Sequence, residues 1–570
     1  MAMWLTGCRF SSGLLGSLVV SLLAAALMAS PAGAEQAGSE VGRVAAASID
    51  AGDAHTCAVL TTGAVRCWGF GGFGQLGHDS TNNIGDGQGL AINAAGDVPL
   101  GSKATAIATG TSHTCALLTT GAVRCWGYGG DGQLGYDSPA NVGDGGGDPS
   151  IQAAGDVPLG GKATAITAGA SHTCVLLTTG AVRCWGYGGD GRLGYDNPGD
   201  VGDGGSDPSI RTAGDVPLGG KATAITAGAS HTCALLTTGA VRCWGSGGDG
   251  QLGHDNPGEV GGGGTDPSIR TAGDVPLGGR ATAITAGGLH TCALLTTGAV
   301  RCWGYGGDGQ LGLDSPANVG DGGTDESIRT AGNVPVGGET TAITSGLFHT
   351  CAVLTTGSVR CWGQGGFGQL GHNDTNKVGV GGTEPSIGTA GDVPVGAKTT
   401  AITAGGYHSC AVLTTRAVRC WGYGGDGELG HDNDANVGDG GTDQSIQTAG
   451  DVPVGVPVRV RASTRVSATV TPKRDRHAPY VYALTGRVGG AFVADSATCS
   501  GQVKVTVRKG TRLLQTRTPH LDSRCRYHTR IRLTATDLRV HQATRLTAKI
   551  HYRRTRNLTA SHTKRHLTAH

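Results

Sequence analysis

Read for polarity alone, residues 163–186 carry three short runs, each ended by glycine. Ala163-Thr164-Ala165-Ile166-Thr167-Ala168-Gly169 alternates small apolar and hydroxyl side chains, the period of two that marks a strand. Ser171-His172-Thr173-Cys174-Val175-Leu176-Leu177 is a second strand pattern, and Ala181-Val182-Arg183-Cys184-Trp185-Gly186 a third. Thr178-Thr179-Gly180 lies between them and offers a glycine for the positive φ that a tight hairpin needs. A long Gly/Asp stretch follows, then Gly214-Asp215-Val216-Pro217-Leu218. Proline cannot donate to a central ladder, so this segment is expected as a fourth, outermost strand.

The same unit recurs seven times. Its markers are Cys57, Cys115, Cys174, Cys233, Cys292, Cys351 and Cys410, spaced 58 residues once and 59 residues five times. A fixed period calls for a repeat architecture. Four short strands in each of seven units predict an all-β seven-bladed β-propeller, which leaves only short, protected sheet edges. The expected boundaries are 35–455 for the propeller and 456–570 for a small β-sandwich-like C-terminal domain. In that last part the alternation persists at 501–507, 529–533 and 544–550.

A second cysteine stands ten positions after each marker, across the hairpin turn: Cys67, Cys125, Cys184, Cys243, Cys302, Cys361 and Cys420. A three-residue turn sets the two opposite each other, within disulfide reach. Each bridge would close a small loop worth about 2–3 kcal/mol. Cys499 and Cys525 form an expected further pair in the C-terminal domain. The rival use of these cysteines, metal sites with the neighbouring His, would require seven copies of one site. In the last unit the turn reads Thr414-Thr415-Arg416, so arginine stands where the others have glycine.

Composition sharpens the picture. Glycine contributes 105 of 570 residues, without the triplet period of collagen. Residues 1–34 read as a signal peptide: Arg9, an apolar stretch from Leu14 to Met28, then Ala32-Gly33-Ala34. Export predicts an oxidising compartment, and 16 of the 17 cysteines lie beyond that segment. Net charge is +1, but residues 456–570 hold 24 Lys+Arg against 4 Asp+Glu, leaving 20 basic and 39 acidic residues elsewhere. That basic tail suits an anionic polymer such as a cell-surface glycan, or docking on the acidic body.

Ser112-His113-Thr114-Cys115-Ala116-Leu117-Leu118 and Cys125-Trp126-Gly127-Tyr128-Gly129-Gly130-Asp131-Gly132-Gln133-Leu134-Gly135 resemble the repeat of the regulator of chromosome condensation family. The likeness recurs over residues 44–455 and implies a seven-bladed propeller. Members of that family include a guanine-nucleotide exchange factor, and a secreted relative of the fold inhibits a β-lactamase. The signal segment and the cysteine pairs depart from the exchange factor, and fold alone does not transfer its activity.

Comparison of the seven units separates framework from variation. His, Cys, Trp and Gly hardly change. The Trp residues are expected between blades, and the His residues to bond local backbone. Variation concentrates at four places, and all eleven Phe and Tyr residues of the repeats fall there. Before the His stand Ala54, Ser112, Ser171, Ser230, Leu289, Phe348 and Tyr407; after Trp-Gly stand Phe70, Tyr128, Tyr187, Ser246, Tyr305, Gln364 and Tyr423. Phe73 and Phe367 replace an aspartate found in the other five units, and Tyr136 and Tyr195 follow Gly-x-Leu-Gly. These positions are expected as rings of side chains on loops. Phe70, Tyr128, Tyr187, Tyr305, Tyr423, Leu289, Phe348 and Tyr407 are the candidate binding residues, since Tyr-rich loops on a rigid frame suit protein recognition. Stacking on sugar rings is the alternative use. No nucleophile–base set, phosphate loop or zinc-protease motif stands out. The expectation is therefore a monomeric binding protein without enzymatic activity, cofactor, metal or nucleic-acid partner.

Overall fold

The computed structural model describes residues 45–322 and 326–455, and beyond them 464–466, 468–471, 474–475, 480–490, 503–509, 511–520, 526–534, 544–552 and 561–569. The expected signal segment and the Cys499–Cys525 pair lie outside the described residues.

Seven separate antiparallel sheets repeat along the chain, each of three strands in sequence order. Blade 1 consists of Ala46–Ala51, His55–Leu60 and Val65–Gly69. The innermost strands of blades 2 to 7 are Ala104–Thr109, Ala163–Ala168, Ala222–Ala227, Ala281–Ala286, Thr340–Ser345 and Thr399–Ala404. The middle strand of every blade is buried at all six positions, as expected of a strand covered on both faces.

The fourth strand does not form. In blade 1 the proline segment makes one ladder bond, Val98 N–H to the Val65 carbonyl at 2.8 Å. Leu100 N–H then turns back to the Val98 carbonyl, also at 2.8 Å, folding the chain tightly around Pro99. Proline supplies no donor, so the ladder stops where it begins.

Cys57 faces Cys67 across the hairpin, and the register is the same in the other six blades. The Cα atoms of the seven pairs stand 4.0–4.1 Å apart, and each pair is a disulfide. Arg416 adopts φ +63°, where the equivalent glycine of blade 1, Gly63, takes +83°. A side chain there costs about 1 kcal/mol. Arg416→Gly is therefore expected to raise stability by about 0.5–1 kcal/mol, read as a shift in denaturant midpoint; an unchanged or lower midpoint would contradict the strain.

Beyond the repeats, two β-sheets are described. One contains Thr464–Val466, Thr469–Thr471, Tyr480–Gly490 and Arg526–Leu533; the other Arg474–Asp475, Val503–Lys509, Arg512–Arg517, Thr544–Tyr552 and Ser561–Ala569. Tyr482, Leu484 and Ile531 from the first sheet share one buried cluster with Val505, Leu546 and Ile550 from the second. This is a small β domain of two facing sheets.

Candidate functional site

The blades are joined side by side through three repeated sets of polar bonds. The first uses the histidines. His55 Nε2 meets Thr114 Oγ1 of blade 2, and the relation passes from blade to blade until His408 reaches Thr56 of blade 1, all at 2.7–2.9 Å. Each of these hydroxyls donates to a loop carbonyl of the preceding blade, for example Thr114 to Gln75 at 2.9 Å. The hydroxyl must therefore accept from histidine, which fixes the Nε2–H tautomer. Nδ1 of all seven histidines is buried without a hydrogen-bond partner among the described residues. Burial drives each imidazole towards its neutral form: His113 is lowered to about 4 and His55, His231, His290, His349 and His408 to about 3. These histidines bond the next blade and not their local backbone, which corrects the sequence expectation.

The second set uses tryptophan. Trp126 Nε1 donates to the same Gln75 carbonyl that accepts from Thr114, so one oxygen takes two donors from the next blade. All seven indoles repeat this at 2.8–3.0 Å, with Trp68 bonding the Glu428 carbonyl across the closing seam. The third set lies at the outer edge, where Arg124 pairs with Asp156 and donates to the Leu100 carbonyl of the preceding blade. Arg301 departs from it: Asn333 replaces the aspartate, and its Nη1 bonds Ile328 of its own blade.

With the frame so closed, the variable positions lie at one end of the blades. The backbone N–H after each Trp-Gly donates to the carbonyl before each His: Phe70 to Ala54, Tyr128 to Ser112, Tyr187 to Ser171, Tyr305 to Leu289 and Tyr423 to Tyr407. Two of the expected rings are thus hydrogen-bonded neighbours on a single face. The third position joins them: Phe73 meets Tyr128 of the next blade at 5.4 Å, and Phe367 meets Tyr407 and Tyr423 at 5.1 and 5.3 Å. Phe348 lies tilted against Tyr407 at 5.7 Å, and Phe70 meets Phe73 edge-on at 6.1 Å.

These aromatics do not encircle the axis evenly. They form two clusters, Phe348, Phe367, Tyr407 and Tyr423 in blades 6 and 7, and Phe70, Phe73 and Tyr128 in blades 1 and 2. Blade 7 abuts blade 1, so the clusters make one arc with Asp426 between them. The rest of the face carries polar pairs among single apolar side chains. Tyr187 carries Arg192 over its ring at 4.7 Å, and Asp308 pairs with Lys377 at 2.7 Å. Leu289 and Tyr305 are half-buried in that part, outside the clusters. Tyr136 and Tyr195 belong to neither ring. Their hydroxyls bond the backbone of Cys125 and Cys184, and burial pushes both phenols up to about 12.

A narrow cavity of about 80 Å³ lies among the innermost strands, lined by Ala, Gly, Thr and Ser from all seven blades together with Asp53 and Leu347. Asp50, on the innermost strand of blade 1, is a carboxylate where the other units have Ala108, Thr167, Thr226, Thr285, Thr344 and Thr403. It accepts from Thr109 N–H and Oγ1–H at 2.8 Å, and burial raises it to about 6. Sequence reasoning missed Asp50 and Glu428. Both were findable as the acids at positions where other units place Ala or Thr, and Gln or Arg.

Seven near-identical blades, the last bonded to the first, make a closed β-propeller with one differentiated face. The family profile described as regulator of chromosome condensation (RCC1) repeat matches residues 46–75, 104–133, 163–192, 222–251, 281–310, 341–369 and 400–428. The chain belongs to the RCC1-repeat proteins. It is 32% identical over 289 residues to the ultraviolet-B receptor UVR8 of Arabidopsis thaliana, covering 48% of this chain and 56% of that one. It is 29% identical over 316 residues to the E3 ubiquitin-protein ligase HERC2 of Homo sapiens, covering 55% of this chain and 6% of that protein. The chain thus spans about half of UVR8 and a small part of HERC2. Among solved structures it is similar to a chain in the crystal structure of Kap60 bound to yeast RCC1 (Prp20), with TM-score 0.50 and 19% identity, covering 84% of this chain and 97% of that one. That likeness concerns the fold.

Proposed function

We propose that this protein is a secreted scaffold that holds a protein partner on the aromatic arc of blades 6, 7, 1 and 2. The observation that carries the reading is that pseudo-symmetry breaks on one face. A frame alone needs no variation, yet Phe348 and Tyr407 stand where blades 1 to 4 have Ala or Ser, and Phe367 stands where five blades have Asp. Phe73 is 38% exposed, an unusual position for a ring that served packing alone. Aromatic side chains offer wide contact at low entropic cost, and interface hot spots are rich in them. The similarity to yeast RCC1, solved bound to Kap60, is consistent with protein binding as a use of this fold. Seven hairpin cystines fit an oxidising compartment. Among the described residues no helix is long and apolar enough to cross a membrane.

The Phe348→Ala/Tyr407→Ala pair tests the reading. Affinity capture from culture supernatant is expected to yield a protein retained by the wild type and weakened about tenfold or more in the double variant, with an unchanged melting temperature. Equal retention by both would remove the arc from the proposal. Binding of wild type to a glycan array, lost in the same variant, would replace it with the carbohydrate reading.

A further inference from the structure

Blade 3 shows how this fold holds a cation on its variable face. Arg192 occupies the position that is glutamine in blades 1, 2, 4, 5 and 6. Its guanidinium lies over Tyr187 at 4.7 Å, pairs with Asp190 at 2.5 Å and donates to the Gly189 and Ala229 carbonyls at 3.0 and 3.1 Å. Ring, carboxylate and carbonyls together satisfy a planar, multiply donating cation. Blade 5 supplies its cation differently: Lys377, from the loop of blade 6, reaches Asp308 at 2.7 Å.

The seam of blades 7 and 1 keeps the same receptor and lacks both cations. Tyr423 and Asp426 stand where Tyr187 and Asp190 stand, and the Asp53 carbonyl takes the place of Ala229. Glutamate 428 replaces the arginine, and Asn83 replaces Lys377, its amide reaching Asp426 at only 3.5 Å. Glu428 accepts from the Asp426 N–H at 2.9 Å, as the glutamines do in their own loops, and is almost wholly buried. Burial raises the pKa of Glu428, and the nearby charges of Asp426 and Asp53 raise it further. Among the described residues no Lys or Arg pairs with Asp53, Asp426 or Glu428. Two aromatic clusters flank this spot, with Tyr423 on one side and Phe70 on the other.

We infer that the seam between blades 7 and 1 receives an arginine side chain of the bound protein, held by the Tyr423 ring and the carboxylates of Asp426 and Asp53, beside Glu428, in the manner of Arg192 in blade 3. The inference rests on the arc being the docking surface and names the chemistry it selects. A guanidinium suits the site better than an ammonium because the blade 3 arrangement uses its several donors and its flat face at once.

The test uses a terminally blocked tetra-arginine peptide titrated into the full-length protein by calorimetry, with tetralysine as comparison. Wild type is expected to bind tetra-arginine more tightly than tetralysine. Glu428→Arg copies blade 3 and Asn83→Lys copies blade 5; each is expected to weaken tetra-arginine binding about tenfold or more by filling the site from within. The two variants alter different blades, and thermal melts select the folded one for the comparison. Tetra-arginine binding unaffected by a folded variant would overturn the inference, as would equal affinity for both peptides. The outcome separates from that of the arc: a captured partner lost in Phe348→Ala/Tyr407→Ala but retained in folded Glu428→Arg and Asn83→Lys leaves the arc standing and removes the arginine site.

Discussion

Acidification from pH 7 to pH 4 is expected to unfold the repeats cooperatively, with the disulfides still closed. The seven ring histidines are neutral in the native state, five lowered to about 3 and His113 to about 4, with His172 lowered well below the ordinary value. In the unfolded chain each titrates near 6.5. Between these values the unfolded state binds more protons, so stability is complete above the unfolded value and falls as pH drops. Raised carboxylates oppose this, Asp50 and Glu428 by the largest amounts. Asp50 and Glu428, raised to about 6 and about 8, hold protons in the native state that the unfolded chain releases. The smaller shifts act in both directions, His78, His254, His372 and His431 lowered and Asp53, Asp200, Asp249 and Asp426 raised. Among the largest shifts, seven protons against two leave a net of about five near pH 5, or roughly 7 kcal/mol per pH unit at about 1.4 kcal/mol each. A domain stable by about 5–15 kcal/mol cannot absorb that over two units. Fluorescence of the seven buried tryptophans reports the transition directly. His290→Gln keeps a donor for Thr350 while removing one titrating group, so it should lower the slope by about one proton. A chain equally stable at pH 7 and pH 4 would sink the assignment of neutral, buried imidazoles.

Reduction is the second large effect. Each cystine closes a loop between cysteines ten residues apart, worth about 2–3 kcal/mol in unfolded-state entropy. Seven such terms sum to roughly 14–21 kcal/mol, more than the whole stability of an ordinary domain. The fully reduced chain is therefore expected not to refold at 25 °C, whereas loss of one bridge, as in Cys233→Ala/Cys243→Ala, should cost only about 2–3 kcal/mol and leave the fold intact. The bridges sit in the buried centre of each blade, so the native state should resist mild reductant until denaturant opens it. Native secondary structure recovered from the reduced, alkylated chain would show that interblade bonding suffices without them.

Much of the fold was legible because its determinants are local. Alternation, the Thr-Thr-Gly turn and the ten-residue cysteine spacing fix each hairpin and its register, and the period fixes their number. Arg416 was readable as a left-handed residue for the same reason. A proline segment beside a sheet edge looks like a strand until its hydrogen bonds are counted, so the sequence suggests a fourth strand that the ladder does not contain. The histidine partners lie about 60 residues away along the chain, beyond the reach of any local pattern.

The sequence alone therefore determined the blade, its disulfide, the number of copies and the positions free to vary. Tertiary closure decided which of those positions meet. It placed Phe367 of blade 6 against Tyr423 of blade 7, set Glu428 beside Asp53, and gave Arg192 a ring to lie on while leaving its counterpart seam acidic. Such relations depend on which blade follows which around a ring, and on a last blade bonding to the first. No window along the chain contains that information, because the residues concerned are brought together only when hydrogen bonds such as His408 to Thr56 close the circle.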